Sequence, residues 1–311
     1  MLNYLYCLDE GYNFQALNSI NSLLENSSKK INLYIIHKNS LTFEKLLNKV
    51  PNFNQINSLN IYDFSNENIS FPNLKGAHVS EATYYRMFID EYIPDKVDYL
   101  IYLDADIICL NDPCETIEKE ISIMKSDNTP LGAKTEGTRE NSSELFEQLG
   151  LKNDNHFNAG MIIIDFHKWK FNNIKTKLLK KMDERKNKII YWDQDLLNIV
   201  FDDNYTKINN NLNFNHSVFN EVKIKTDKLS DIIFMHYSGK SKPWGLDSIL
   251  SQNSSYYQES FRKLGIGKYH IVFDKRLKTL FNFFKILLTL KFLKLEFPVD
   301  YIKSSFKSFT K

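Results

Sequence analysis

Short apolar runs alternate with segments of helical periodicity along most of the chain. Continuous apolar runs predict strands at 2–8, 31–37, 56–64, 99–103, 157–166 and 231–237. Apolar residues at helical spacing predict helices over 13–25, 43–50, 81–93, 167–186 and 192–201. Strands that alternate with helices are typical of an α/β fold whose mainly parallel sheet is covered on both faces. No internal repeat interrupts the pattern, so residues 1–260 are predicted to form one domain.

The composition narrows the class of protein. The 311 residues are 42% hydrophobic and 25% charged, which is typical of a globular chain and excludes intrinsic disorder. Three cysteines are too few for a disulfide scaffold and indicate a reducing compartment. The first residues lack a basic start and carry Asp9 and Glu10, unlike a secretory signal. No uncharged apolar run reaches the roughly 18 residues that span a bilayer, so a cytoplasmic location is expected.

The net positive charge is concentrated at the C-terminal end. Residues 261–311 hold 12 basic and three acidic side chains, whereas the preceding residues hold 28 and 35. Within 275–295, Lys278, Asn282, Lys285 and Thr289 fall on one stripe of an otherwise apolar helix. This pattern predicts a helix that lies on an anionic membrane surface. A helix packed on the preceding domain, or on a second chain, is the alternative. Nucleic-acid binding is not expected, because no nucleic-acid-binding motif accompanies the charge.

Two carboxylates follow the strand predicted at 99–103. Residues 99–107 are YLIYLDADI, so Asp104 and Asp106 leave the strand on the same side of the chain. In open α/β sheets ligands bind at the carboxyl ends of strands. Two converging carboxylates repel each other unless a cation lies between them, and hard divalent cations take such oxygen ligands. Two solvated residues at a strand end are the alternative interpretation.

A second motif, HYSGKSKPW at 236–244, follows the last predicted strand. His236 could complete a cation site, and an imidazole ligand favours Mn²⁺ over Mg²⁺. Gly239 allows the backbone to approach a ligand, and Lys242 supplies a positive charge suited to a phosphate. A structural loop with a hydrogen-bonded histidine is the alternative. Together the two motifs indicate a metal and a phosphate group at one sheet edge.

With these motifs the sequence resembles the retaining glycosyltransferases of family 8, which use nucleotide sugars and have the GT-A fold. Four segments carry the resemblance, in the family's order: YCLDEGY at 6–12, ATYYRM with YLDADI at 82–107, HFNAGMIIID with WDQDLLN at 156–198, and HYSGKSKPW. The family usually carries Asn where this chain has Gly11. The resemblance implies a GT-A catalytic domain over 1–260, followed by a basic, aromatic, helical and membrane-associating segment over 261–311. Similar tails occur in bacterial members that glycosylate lipid-linked acceptors.

The resemblance also implies roles for individual residues. The nucleotide and its diphosphate would be held by Cys7, Asp9, Tyr12, Gly239 and Lys242. The metal, Mn²⁺ or Mg²⁺, would be held by Asp104, Asp106 and His236. The donor sugar would contact Arg86, Asp104, Asn158, Asp193 and Gln194, and the last two are the candidate catalytic residues.

Several of these residues have structural alternatives. Asp9 could be a turn residue, Tyr12 a core residue and Arg86 part of a surface ion pair. Asn158 could cap a strand turn, and Asp193 could be the N-cap of the 192–201 helix. His78 is a further residue that could contact the donor or the acceptor.

The implied activity is hexose transfer from UDP-galactose or UDP-glucose to a hydroxyl of a glycan, glycolipid or glycoprotein, with retention of configuration. Such an enzyme would build a surface polysaccharide or lipooligosaccharide at the inner face of the plasma membrane. Gln194 is a poor nucleophile, which favours attack on the face from which UDP leaves, although Asp193 and Asp195 keep a covalent route open. Two other functions remain as alternatives: a metal-dependent phosphate-ester hydrolase, and a nucleotide-sugar-binding module without catalysis. Acceptor contacts are expected from the loops 66–78, 134–156 and 209–222.

Overall fold

The computed structural model describes residues 1–66, 69–72, 80–202, 204–215 and 229–310. Its strands are β1 Asn3–Leu8, β2 Ile31–His37, β3 Ile56–Asp63, β4 Tyr99–Leu103, β5 Ile107–Cys109, β6 Leu131–Thr138, β7 Asn155–Asp165, β8 Thr206–Lys207, β9 Phe214–Asn215 and β10 Phe234–His236. Its α-helices are α1 Asn13–Asn26, α2 Ser40–Leu47, α3 Ile89–Tyr92, α4 Cys114–Asp127, α5 Ser143–Leu149, α6 Phe166–Phe171, α7 Ile174–Arg185, α8 Trp192–Phe201, α9 Gln252–Lys263, α10 Leu277–Leu288 and α11 Pro298–Ser308. Short 3-10 helices cover Glu10–Tyr12, Phe53–Gln55, Glu81–Phe88, Asn210–Asn213 and Lys291–Lys294.

The main sheet has the strand order β3-β2-β1-β4-β7-β6-β8. The pairs β3–β2, β2–β1, β1–β4 and β6–β8 are parallel, and β7 runs antiparallel to both β4 and β6. The predicted α/β fold with a mainly parallel sheet is therefore confirmed. The sequence pattern gave no sign of the reversed strand, because a strand buried on both faces is apolar whichever way it runs.

Hydrophobic side chains cover both faces of the sheet. Along β1, Tyr4 and Tyr6 point into a cluster that includes α1, while Leu5 and Cys7 point into a cluster that includes α7 and α8. Because both faces of the central strands are buried among apolar side chains, the polar side chains lie at the ends of these strands. The functional candidates therefore gather at the edge where β1 and β4 end.

A second, three-stranded sheet stands at this edge. Its order is β5-β10-β9, with β10 antiparallel to β5 and parallel to β9. The DAD motif is the short connection from β4 in the main sheet to β5 in the small one. His236, the last residue of β10, pairs with Ile107 at the start of β5. This pairing brings the two motifs together although 130 residues separate them.

The helix predicted at 43–50 is observed as Ser40–Leu47, and two other predicted helices differ in type or continuity. The segment 81–93 begins as the 3-10 helix Glu81–Phe88 and only its end, α3, is α-helical. The segment 167–186 divides into α6 and α7 at Asn173, which has a left-handed φ of 52°. Asparagine adopts this conformation more readily than most residues, and it ends an α-helix.

The C-terminal segment folds back onto the rest of the chain. Phe283 and Ile286 of α10 and Tyr301 of α11 are buried in a cluster with Leu246 and Ile249. The hydroxyl of Tyr301 donates to the carbonyl of Leu246 at 3.0 Å, and Val272 N donates to Trp244 O at 2.8 Å. The tail is therefore helical, as predicted, and it packs against the residues that follow the HYSGKSKPW loop. Among the described residues, no helix is long and apolar enough to cross a membrane.

Candidate functional site

Asp104, Asp106 and His236 meet at the junction of the two sheets. One potential ligand atom from each side chain lies within 4.8 Å of the other two. His236 Nε2 is 3.3 Å from Asp106 Oδ1 and 3.9 Å from Asp104 Oδ2. Asp106 Oδ1 is buried, and no donor from the described part of the chain forms a hydrogen bond with it. An unsatisfied carboxylate oxygen beside an imidazole nitrogen fits a divalent cation, which would supply the missing partner.

The two carboxylates differ in their surroundings. Burial and the neighbouring Asp106 raise the pKa of Asp104, against the opposing charge of Arg86. Burial also opposes ionisation of Asp106, but Lys242 and His236 outweigh it and hold the pKa of that carboxyl below its usual range. Lys242 Nζ donates to Asp106 Oδ2 at 2.6 Å and to the carbonyl of Tyr237 at 2.9 Å. In this structure the lysine thus supplies the positive charge that Asp106 requires.

Arg86 is buried and connects the Asp104–Asp106–His236 cluster to α8. Its Nε forms a short hydrogen bond with Asp193 Oδ2, and its Nη2 donates to Asp193 Oδ1 at 3.1 Å. Its Nη1 donates to the Ala159 carbonyl and lies 3.8 Å from Asp104 Oδ1. The guanidinium also stacks 4.1 Å from the ring centre of Tyr102. The alternative of a surface ion pair is therefore wrong for Arg86, because the pair is internal.

Asp193 and Gln194 lie in the first turn of α8. The N-cap residue is Tyr191, so the alternative that Asp193 is the cap is also wrong. Asp193 is buried and accepts a hydrogen bond from the Thr83 hydroxyl at 2.6 Å, besides those from Arg86. Gln194 is half-buried, and its Oε1 accepts from Ala159 N at 2.9 Å. The side chain of Gln194 is thereby fixed beside the backbone of β7.

A cavity opens next to the Asp104–Asp106–His236 cluster. Residues from β1, the 3-10 helix Glu81–Phe88, the DAD motif and the second loop line it: Cys7, Leu8, Tyr12, Ser80, Ala82, Thr83, Tyr102, Asp104, Ala105, Asp106 and Lys242. Tyr12 contacts the edge of Trp244, with ring centres 6.3 Å apart. Asp9 is the N-cap of the turn Glu10–Tyr12 and accepts from Gly11 N at 2.9 Å, so the turn role proposed for it is present.

The loop 238–244 carries Lys242 to the cavity. Gly239 has a φ of 81°, in the left-handed region that favours glycine, and a Cβ at this position would meet nothing within 4 Å. Trp244 anchors the end of the loop through stacking with His270 and contact with Tyr257. The loop is therefore fixed at its tryptophan and open to solvent at its glycine.

Sequence reasoning missed several residues of this site. Tyr102 donates to Asp104 Oδ1 at 2.7 Å, and Thr83 holds Asp193. Thr83 precedes Arg86 by three residues, and such residues align in a 3-10 helix, so the ATYYRM segment held a usable signal. Asn213 forms hydrogen bonds with two members of the site, Asn158 and His236, but stands in an asparagine-rich stretch without a motif. Only the tertiary structure identifies it.

Some predictions fall on residues that the structure does not describe. His78 lies outside the described residues, as do 67–68, 73–78 and 216–222 of the loops expected to contact the acceptor.

The comparisons with known proteins agree on one family. The profile of glycosyl transferase family 8 matches residues 3–247. A putative glycosyltransferase of Haemophilus influenzae is 28% identical over 253 residues, which cover 78% of this chain and 73% of that protein. A lipopolysaccharide 1,3-galactosyltransferase of Salmonella typhimurium is 30% identical over 169 residues, covering 52% of this chain and 49% of that protein.

The same fold occurs in a solved structure of the galactosyltransferase LgtC in complex with donor and acceptor sugar analogues. The two folds superpose with a TM-score of 0.68 at 21% identity, over 84% of this chain and 95% of the other. The GT-A fold expected from the resemblance is thereby confirmed. Since the family profile covers most of the residues and all four quoted segments, the protein belongs to glycosyl transferase family 8.

Proposed function

We propose that this protein transfers a hexose, galactose or glucose, from a UDP-sugar to a hydroxyl of a glycan, glycolipid or glycoprotein in the assembly of a surface polysaccharide or lipooligosaccharide. One observation carries the proposal: the Asp104–Asp106–His236 cluster, Lys242 and the cavity beside Cys7 and Tyr12 adjoin one another. A nucleoside diphosphate sugar needs a cation for the diphosphate and a partly apolar pocket for the base. The names of the lipopolysaccharide glycosyltransferases among the relatives support the surface-glycan acceptor.

The residues of the cavity suit a UDP donor. We infer that the base lies against Tyr12, since an aromatic face stacks on a pyrimidine. Asp104, Asp106 and His236 would hold Mn²⁺, or Mg²⁺, and the ion would offset negative charge on the departing UDP. Lys242 would then leave Asp106 for a phosphate oxygen, because an ammonium group forms charge-assisted hydrogen bonds with either anion. The backbone at Gly239 would approach the same phosphates.

Same-face attack is the mechanism that the carboxylate contacts support. Arg86 and Thr83 occupy both oxygens of Asp193. Asp195 is fully buried, and its Oδ2 accepts from the main-chain N–H groups of Ile190 and Tyr191. Asp193 has both oxygens engaged and Asp195 is shielded by burial, so neither is suited to attack the sugar, and configuration would be retained without a covalent intermediate. The leaving phosphate oxygen would accept the acceptor's proton.

The remaining polar groups suit the hexose. Arg86, Asn158 and Asp193 would hydrogen-bond its hydroxyls, with Asp104 near the same ring. Gln194, fixed by Ala159, would lie beside the anomeric carbon on the side that the acceptor approaches. Its amide would stabilise positive charge that develops on the sugar during transfer.

We further propose that residues 261–311 bind the anionic inner face of the plasma membrane. Leu277, Phe281 and Leu288 recur along one side of α10 and are 85%, 70% and 85% exposed. Exposed Leu290 and Leu293 continue this apolar surface, lysines at 278 and 285 border it on one side, and lysines at 291 and 294 lie at its end. Apolar side chains bordered by lysines are suited to a headgroup region of negative charge. A cytoplasmic protein held there would meet lipid-linked acceptors.

UDP release tests the proposed reaction without knowledge of the acceptor, since transferases of this kind hydrolyse their donor slowly. The protein would be incubated with a panel of nucleotide sugars in the presence of Mn²⁺, Mg²⁺ or EDTA. Metal-dependent UDP release from UDP-galactose or UDP-glucose is the expected result and would identify the donor. Absence of both release and metal-dependent UDP binding across the panel would contradict the proposal.

A further inference from the structure

A chain of buried amides leads from the surface of the site to the imidazole of His236. Asn213 Oδ1 lies 2.9 Å from His236 Nδ1, and Asn213 Nδ2 donates to Asn158 Oδ1 at 2.9 Å. Asn158 Nδ2 in turn donates to the carboxylate of Glu136 at 3.1 Å. Asn213 is fully buried, and Asn158 and His236 are nearly so. Each amide therefore depends on its neighbours in the chain for hydrogen-bond partners.

The direction of every hydrogen bond in this chain is determined at the Asn158 end. The Glu136 carboxylate can only accept, and the main-chain N–H of Gly160 can only donate. Gly160 N donates to Asn158 Oδ1 at 2.9 Å. The oxygen of Asn158 must therefore face Gly160, and its NH₂ group must face Glu136. A flipped Asn158 would place donor against donor and acceptor against acceptor.

The orientation of the Asn158 amide determines that of Asn213, which in turn determines which nitrogen of His236 carries the hydrogen. Because Asn158 presents an oxygen, Asn213 must direct its NH₂ group there, which turns Asn213 Oδ1 towards His236. An amide oxygen only accepts, so His236 Nδ1 must carry a hydrogen. In the neutral ring, Nε2 then has the free lone pair, and it faces Asp104 and Asp106. A metal ion needs this lone pair.

Two further contacts restrain the same groups. Lys134 Nζ donates to the main-chain carbonyl of Asn213 at 2.8 Å, which holds Asn213 in place at the end of its 3-10 helix. A Cβ at Gly160 would overlap the ring of His236, so the absence of a side chain there leaves room for the imidazole. The ring is thus confined near Cε1 by Gly160 and at Nδ1 by Asn213.

We propose that Asn213 is a positioning residue that fixes His236 in the Nδ1-protonated form and aims Nε2 at the metal. The inference rests on the metal site of the proposed function. It assigns Asn158 a second task, since the oxygen and the NH₂ group of its side-chain amide both take part in the series of hydrogen bonds that orients His236. Hydrogen bonds to the far nitrogen of a metal-binding histidine commonly change metal affinity by about 10- to 100-fold.

The first test measures Mn²⁺ affinity from the electron paramagnetic resonance signal of free Mn²⁺. Asn213→Ala should weaken binding by about 10- to 100-fold relative to the wild-type protein. Asn211→Ala is the matched control, because Asn211 lies in the same 3-10 helix and its described hydrogen bonds use main-chain atoms. That control should bind within about twofold of wild type. Wild-type affinity in Asn213→Ala would overturn the inference.

The second test reads the tautomer directly and needs no folded variant. A long-range ¹H–¹⁵N spectrum of histidine-labelled wild-type protein is recorded at alkaline pH, and His236→Gln assigns the signal. We expect the proton on Nδ1, and in a folded Asn213→Ala variant a shift of the population towards Nε2, where Asp106 attracts it. An Nε2-protonated ring in the wild type would overturn the inference.

The two tests separate this inference from the proposed function. A wild-type protein that binds no Mn²⁺ but carries the proton on Nδ1 would contradict the metal site alone. A protein that binds Mn²⁺ with an Nε2-protonated ring would contradict the role of Asn213 alone.

Discussion

At the scale of single residues, Lys242 and Arg86 each interact with more than one group of the site. Lys242 neutralises Asp106, although it would bind phosphate in the proposed reaction. Arg86 holds Asp193, stacks on Tyr102 and approaches Asp104. Buried charges are stable only when they are paired, so each charge that a ligand would meet is already balanced by a protein group. Ligand binding would therefore replace the protein partner of a charged side chain by a charged group of the ligand.

Lys242→Met should affect the metal and the nucleotide in opposite directions. Loss of the ammonium removes a positive charge that competes for Asp106, so Mn²⁺ alone should bind tighter, by about tenfold or about 1.4 kcal/mol. Loss of the phosphate contact should weaken UDP binding by about tenfold or more. Calorimetric titrations with Mn²⁺ and then with UDP measure both. Lys240→Met, in the exposed part of the same loop, should change neither, and weaker Mn²⁺ binding in Lys242→Met would contradict the exchange.

Gln194→Ala should reduce kcat by about 100-fold while UDP affinity stays close to that of wild type. The amide would act on charge that develops only during transfer, and removal of one such preorganised group typically costs about 10²–10³ in rate. UDP release from the preferred donor measures kcat, and a UDP titration measures binding. Gln148→Ala replaces an exposed amide that also bonds to the main chain and serves as the control. A variant with the wild-type rate would remove Gln194 from the site.

At the scale of secondary structure, the start of α8 determines where Asp193 and Gln194 lie. Trp192, the first residue of the helix, has a φ of 50°, which is unusual for a large side chain. Asp195 reaches back to the N–H groups of Ile190 and Tyr191 at 2.7 and 2.8 Å. This contact satisfies two main-chain donors at the helix start. It also closes a loop around Trp192, which lies between these donors and Asp195 in the sequence.

Asp195→Ala should lower the free energy of unfolding by about 3 kcal/mol. The main-chain N–H groups of Ile190 and Tyr191 would lose a charged acceptor, and each such hydrogen bond is worth about 1.5–3 kcal/mol. Urea denaturation followed by circular dichroism measures the change. Asp183→Ala, at an exposed position of α7, should stay within about 0.5 kcal/mol of wild type. Equal stabilities for the two variants would show that the contact does not support the helix.

At the scale of the whole molecule, the C-terminal segment is joined to the loop that carries Lys242. Residue Val272 pairs with Gly245, and His270 stacks on Trp244. Buried Phe283 and Tyr301 then attach α10 and α11 to the same region. Deletion of the tail would expose this cluster, so a test of membrane binding has to alter only exposed positions.

The double substitution Phe281→Glu with Leu288→Glu should release the protein from anionic vesicles. Each apolar side chain contributes about 1.5–3 kcal/mol when buried, and the added carboxylates are repelled by the same surface. Cosedimentation with phosphatidylglycerol vesicles should fall at least about tenfold, and wild-type binding should weaken as salt rises. Phe171→Glu, at a still more exposed aromatic of α6, is the control. Unchanged binding of the double variant would contradict the proposed surface.

The sequence alone determined the order of elements and the ends of the strands that bear chemistry. Apolar runs predicted β2 and β4 at their observed bounds, and α8 likewise, because buried elements have patterns that depend on local spacing. Asp104 directly follows an apolar strand, Asp106 comes two residues later, and His236 ends another apolar strand, so all three could be found. These positions are set by short-range pattern, so one sequence is enough to identify them.

Only the tertiary structure decided the partners of these residues. The reversed direction of β7, the contact of Thr83 with Asp193 and the amide chain through Asn213 each depend on segments far apart in sequence. Polar residues such as Asn213 carry no periodic signal, since their place is set by hydrogen-bond partners that folding supplies. For the same reason the tail's apolar pattern predicted a helix but left open which of its side chains would pack inside and which would remain exposed.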